Sequence, residues 1–135
     1  MPALLNRKGT DGNLLGVYND GTFVGAIAVS GATTVYATSS DYRLKENVTA
    51  ISDGITRLKT LKPYRFNFKS DSTKTVDGFF AHEVTAVPEA VTGTKDAVNS
   101  NGDIDPQGLD QSKLVPLIVA AVQELIGKVE KLEAA

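Results

Sequence analysis

Val115, Val122 and Val129 recur every seven residues, and so do Ile118, Leu125 and Leu132. On an α-helix that period places all six on one side, as an apolar seam of the coiled-coil type. A helix is therefore expected over 110–134. Asp110 or Ser112 can cap its start, and Pro116 falls in the first turn, where a missing N–H breaks no helical bond. Val119 and Ile126 widen the stripe, and Glu124–Lys128 makes a favourable i,i+4 pair beside it. A face of this kind must be covered. Other copies of the chain are the expected cover, with docking on the helix's own domain as the alternative. Valine at one seam position with Leu at the other does not by itself choose three strands over two.

The opposite end has a different character. Before Ser40 the acidic residues are only Asp11 and Asp20, and Gly and Thr are frequent. Asp11-Gly12 and Asn19-Asp20-Gly21 are turn signals. Asn13 to Tyr18 and Thr22 to Val29 are rich in β-branched, aromatic and small residues and read as strands. Two or three short strands bury too little surface to stand alone. Residues 1–40 thus read as a β segment that needs partner chains, with a hairpin packed on the next domain as the alternative. Gly16, Gly25 and Gly31 suit close approach of backbones in an intertwined trimeric stalk.

Between these ends, 41–110 reads as a compact α+β unit. Val48, Ile51, Ile55 and Leu58 follow a helical spacing, Thr49 or Ser52 can cap it, and Pro63 stops it. Tyr64 to Phe68 alternates as a strand, Lys69 to Lys74 is turn-like, and Thr75 to Ala81 reads as the return strand. A short helix over His82 to Pro88, a strand over Ala90 to Thr94 and a loop over Asn99 to Asp103 complete the expectation.

Several functions are disfavoured at once. A formal net charge of −2 over 135 residues offers no global attraction for nucleic acid. The longest strongly apolar stretch, Leu114 to Val122, is too short to span a bilayer. There is no cysteine and one histidine, so neither disulfides nor a zinc site of the usual kind is expected. No Gly-rich Lys-Ser/Thr phosphate loop is present, and no cofactor is expected. Met1-Pro2-Ala3 has no basic flank and no apolar run behind it, so it reads as a boundary within a longer chain rather than a secretory leader.

Chemistry is concentrated at Thr38-Ser39-Ser40-Asp41-Tyr42-Arg43-Leu44-Lys45-Glu46-Asn47-Val48. Ser40 and Lys45 can form a dyad. A serine hydroxyl is a poor nucleophile until a base removes its proton, and a neutral lysine amine can be that base. One turn of chain can bring the two together. Spacing alone favours a plainer reading, a Ser-Asp cap with solvated Arg43 and Lys45.

The run Ser40-Asp41-x-Arg43-Leu44-Lys45-x-Asn47-Val48 resembles the signature of the endosialidase-type intramolecular chaperone domains. These stand at the C-termini of phage tailspikes, tail fibres and neck appendages, with a related domain in eukaryotic myelin regulatory factor. Leu58-x-x-Leu61-x-Pro63-x-x-Phe66-x-Phe68 is similar to the family's helix exit and first strand. Gly78-Phe79-Phe80-Ala81-His82-Glu83-Val84 with Pro88-Glu89-Ala90-Val91 is similar to a further family segment, with His82 where glutamine is usual. Leu114 to Leu132 looks like the closing helix.

The resemblance implies an α+β chaperone domain over 41–135, behind the end of a fibre stalk over 1–40. It implies a homotrimer whose helices bundle through Val115, Ile118, Val122, Leu125, Val129 and Leu132. It implies templated folding of the upstream fibre, then self-cleavage by Ser40 and Lys45 at Ser40–Asp41, with Ser39–Ser40 as the second choice. As supporting residues, Asp41 and Glu46 can orient Lys45 or hold Arg43, with plain surface charges as the alternative reading. Assembly would proceed in the cytoplasm of a bacterial host, with the stalk kept in the virion tail and the chaperone released. A fibre tip that never cleaves is the competing reading.

Overall fold

The computed structural model describes residues 3–135, so Met1 and Pro2 lie outside the described residues. The chain divides into two compact units, Met1–Val48 and Thr49–Ala135. Its architecture is α+β, with antiparallel sheets and a C-terminal helix.

The first unit is a three-stranded antiparallel meander of β1 (Gly12–Asn19), β2 (Thr22–Ser30) and β3 (Thr33–Thr38), in that order across the sheet. Asp20 and Gly21 both take positive φ, 46° and 77°, which matches the hairpin turn to the twist of its strands. At the next turn the Thr33 hydroxyl donates to the Ser30 carbonyl (2.8 Å), and the Gly31 N–H donates to Asp11 (2.9 Å). Leu15, Ile27 and Tyr36 stand in one cross-strand row. Leu15, Val17, Tyr18, Val35 and Tyr36 are all exposed, and Ala26 is the buried apolar residue of the sheet. A third strand joins the two expected ones, yet the sheet still lacks a core of its own.

Two glycines of this unit have visible roles within the chain itself. A Cβ on Gly25 would sit 2.6 Å from the Ala37 carbonyl oxygen, so β2 and β3 approach closely there. Gly31 is a turn residue with φ 55° and open space around it.

In the second unit, α1 (Gly54–Leu58) leads to the hairpin β4 (Tyr64–Phe68) and β5 (Asp71–Gly78). Short 3₁₀ turns at Ala81–Glu83 and Pro88–Ala90 replace the single helix expected after the hairpin. The two-residue strands β6 (Val91–Thr92) and β7 (Gly108–Leu109) pair across a long loop, which is pinched by a Val98–Ile104 bridge. A 3₁₀ turn over Gln111–Leu114 then runs into α2 (Val115–Glu133). Asp110 caps it, accepting from the Ser112 N–H (3.1 Å) and hydroxyl (2.6 Å).

The core is Val84, Val87, Ala90, Leu114 and Leu117, with Leu61, Phe79, Ala86, Val91 and Leu109 packed on it. Helix α1 is shorter than the spacing of Val48, Ile51, Ile55 and Leu58 predicts. Val48 and Ile51 are exposed and outside it. Two contacts with α2 define α1 instead. A Cβ on Gly54 would lie 2.5 Å from the Ala121 nitrogen, so the two backbones touch there. The first-turn N–H of Ile55 donates to the Glu124 carboxylate (3.0 Å), a cap supplied from α2 rather than by Thr49 or Ser52.

Helix α2 docks on its own domain through Leu114, Leu117 and Ala121, all under 4 % exposed. Its seven-residue seam faces elsewhere: Val115, Ile118, Val122, Leu125, Val129 and Leu132 are exposed, Leu125 by 53 %. Domain docking therefore uses a different face and leaves the seam bare.

Candidate active site

The site lies where β3 ends. Ser39 extends the pairing of β3 with β2 by one residue. Its N–H donates to the Val24 carbonyl (3.0 Å) and its hydroxyl to the Phe23 carbonyl (3.1 Å). Ser40 is the first residue past that anchor. The chain then folds into a 3₁₀ turn over Tyr42–Leu44, with Asp41 as its cap and Lys45 closing it.

Asp41 organises the turn. Its carboxylate accepts from the Arg43 N–H (2.9 Å) and takes two bonds from the Arg43 guanidinium (3.0 and 2.6 Å). The guanidinium bond first, and the backbone N–H second, hold the Asp41 carboxyl below its ordinary range. Asp41 in turn raises Arg43 above its ordinary value. The capped turn carries the Lys45 side chain back over Ser40. Its Nζ lies 2.8 Å from Ser40 Oγ and 3.2 Å from the Ser40 carbonyl oxygen.

The Ser40–Lys45 contact and the capped turn thus occur together, although spacing alone sets them as alternatives. Arg43 and Asp41 act on each other and on the turn, and neither bonds to Lys45. Glu46 is exposed and has no hydrogen bond or ion pair among the described residues. Ser39 is bonded to β2 directly before Ser40, a placement that the spacing argument did not give. The available signal was a hydroxyl immediately after an alternating β run.

Residues 40–92 match the family described as chaperone of endosialidase. Over those residues the chain is similar to a chaperone-of-endosialidase domain. The family's name also classes it among the peptidases. The match begins at Ser40, so the serine under Lys45 is the first residue of the matched span. No curated protein matches the chain.

Within the matched span, His82 stacks on Phe80 with ring centroids 6.0 Å apart and 10° between planes. That ring extends an aromatic row through Phe80 to Tyr64 and Phe66. Beside it Lys62 bonds to Glu83 (3.1 Å), and this bond above all holds the Glu83 carboxyl below its ordinary range. These groups tie the hairpin to the turn that follows it, away from the Ser40 segment in sequence.

Proposed function

We propose that this chain ends a phage tail fibre or tailspike, assembles as a homotrimer, templates folding of the upstream stalk, and then cuts itself at Ser40. The observation that carries the reading is Lys45 Nζ on both the hydroxyl and the carbonyl oxygen of Ser40. As an ammonium, Lys45 donates to both atoms. As a neutral amine it accepts the Ser40 hydroxyl proton across the same 2.8 Å contact.

The favoured bond is Ser40–Asp41. Its carbonyl oxygen is the one beside Nζ, where a positive group stabilises the charge of a tetrahedral intermediate. Overall, water adds across the amide, leaving a carboxylate on Ser40 and an amine on Asp41. Ser40 Oγ passes its proton to Lys45 and draws one from the attacking water. Lys45 returns the proton to the departing Asp41 nitrogen.

Ring size supports the second bond. Attack by Ser40 Oγ on its own carbonyl closes a four-membered ring, while attack on the Ser39 carbonyl closes a five-membered one. That route breaks the Ser39–Ser40 amide, protonates the Ser40 nitrogen from Lys45, and leaves an ester that water hydrolyses.

The bare seam of α2 and a β sheet without a core support a trimer. Three chains joined at the C-terminus raise the effective concentration of the stalk strands for one another. Removing the template afterwards leaves the stalk kinetically trapped.

Denaturing electrophoresis and mass spectrometry of freshly expressed protein test this reading. Fragments 1–40 and 41–135 are expected. Fragments 1–39 and 40–135 would move the cut to the second bond. A single uncut chain would transfer the protein to the fibre-tip reading.

A further inference from the structure

We propose that Ser39 is a positioning residue that makes the cut conditional on β2–β3 pairing reaching its last rung. The inference rests on the self-cleavage reading and adds a control to it.

Ser40 is held from two sides. On the far side, the capped turn from Asp41 to Leu44 delivers Lys45. On the near side, no dyad side chain fixes the backbone. That task falls to Ser39, through its N–H to Val24 and its hydroxyl to Phe23. Both acceptors belong to the opening of β2, so the register of the sheet sets where Ser40 begins. When β3 is unpaired, the segment before Ser40 swings freely, and the hydroxyl must find Lys45 without that constraint. Orienting reacting groups is a large part of any rate enhancement, and small displacements are costly.

Gly25 reinforces the coupling. It pairs with Thr38, beside Ser39, and has no room for a Cβ against the Ala37 carbonyl. The close approach that brings Phe23 and Val24 to Ser39 therefore depends on a glycine fifteen positions upstream of the nucleophile. The cut thereby reads whether this part of the stalk is paired.

The same sheet supplies a matched control. At the opposite end of the β2–β3 ladder, the Thr33 hydroxyl also donates to a backbone carbonyl, that of Ser30. The two bonds are chemically alike, but only one touches the cut segment.

The test follows the uncut fraction of pulse-labelled full-length chain over time on denaturing gels. Ser39→Ala should slow the first-order cut about threefold to tenfold, the worth of one hydrogen bond. Ser39→Thr, which keeps the hydroxyl, should restore the wild-type rate. Gly25→Ala should slow the cut although it adds one methyl group far from the dyad in sequence, and Thr33→Ala should leave it unchanged. A wild-type rate in Ser39→Ala, or an equal slowing in Thr33→Ala, overturns the positioning role while leaving self-cleavage intact. A wild-type chain that never cuts overturns the reading beneath it.

Discussion

Lys45 Nζ bonds to two atoms of Ser40 at once, Oγ at 2.8 Å and the carbonyl oxygen at 3.2 Å. One side-chain nitrogen thus contacts both the hydroxyl and the carbonyl oxygen of a single residue. The contact is made by exposed residues on a short turn, so it depends on the turn's shape rather than on a preformed cavity.

Replacing either dyad member should stop the reaction. Ser40→Ala and Lys45→Ala should both give uncut chain by mass spectrometry, with assembly unchanged by light scattering. Lys45→Arg should fail as well, because a guanidinium keeps its proton and cannot act as base. The wild-type rate should not change when assembled protein is concentrated, since both groups lie on one segment.

The Asp41 carboxyl should titrate low because Arg43 holds it ionised. Because the folded carboxyl is held below its ordinary value, the cap's contribution is fully present above the unfolded value of about 3.9. It is lost as pH falls through the lower folded value. Carboxyl chemical shifts followed by NMR should show Asp41 titrating low, and Arg43→Ala should move it upward. An unchanged Asp41 titration in that variant would count against the pair as its cause. Arg43→Ala should slow the cut without abolishing it, because the backbone N–H bond to Asp41 remains.

Two leucines of α2 should separate folding from association. Leu117 is 1 % exposed in the core, and Leu117→Ala should cost about 2–5 kcal/mol of domain stability in denaturant unfolding. Leu125 is half exposed on the seam. Leu125→Asp should alter the fold by no more than about 0.5 kcal/mol yet prevent trimer formation in light scattering, since it places a charge in each chain's interface. Trimers that survive Leu125→Asp would remove the seam from the assembly.

The α1–α2 junction should be intolerant of added volume. Gly54→Ala puts a methyl group onto the backbone of Ala120 and Ala121, and should destabilise the domain by about 1–3 kcal/mol. Glu124→Gln keeps the acceptor for the Ile55 N–H but removes the Lys128 ion pair, and should have a much smaller effect on the melting temperature.

Local patterns were readable where one segment carries its own instruction. The period of α2, its Asp110 cap, the position of Pro116 and the strand Tyr64–Phe68 all follow from neighbours a few residues apart. The third strand, Thr33–Thr38, is β-branched, but it sits close to the composition boundary, where its pattern is too short to stand out. The helix drawn through Val48 and Ile51 was too long because apolar spacing says nothing about where a helix can touch its partner.

The sequence by itself determined the periodic face of α2, the absence of thiol chemistry, and the family signature beginning at Ser40. These are properties of composition and short-range order, which survive without knowledge of the fold. Only the tertiary structure decided that α2 buries Leu117 and Ala121 while leaving the seam open, and that Glu124 caps a helix 69 positions away. Only it separated Ser39, bound to Phe23, from Ser40, bound to Lys45. Neighbouring serines are chemically identical in a sequence. They differ once strand pairing points one hydroxyl at a carbonyl across the sheet and a capped turn brings an amine over the other.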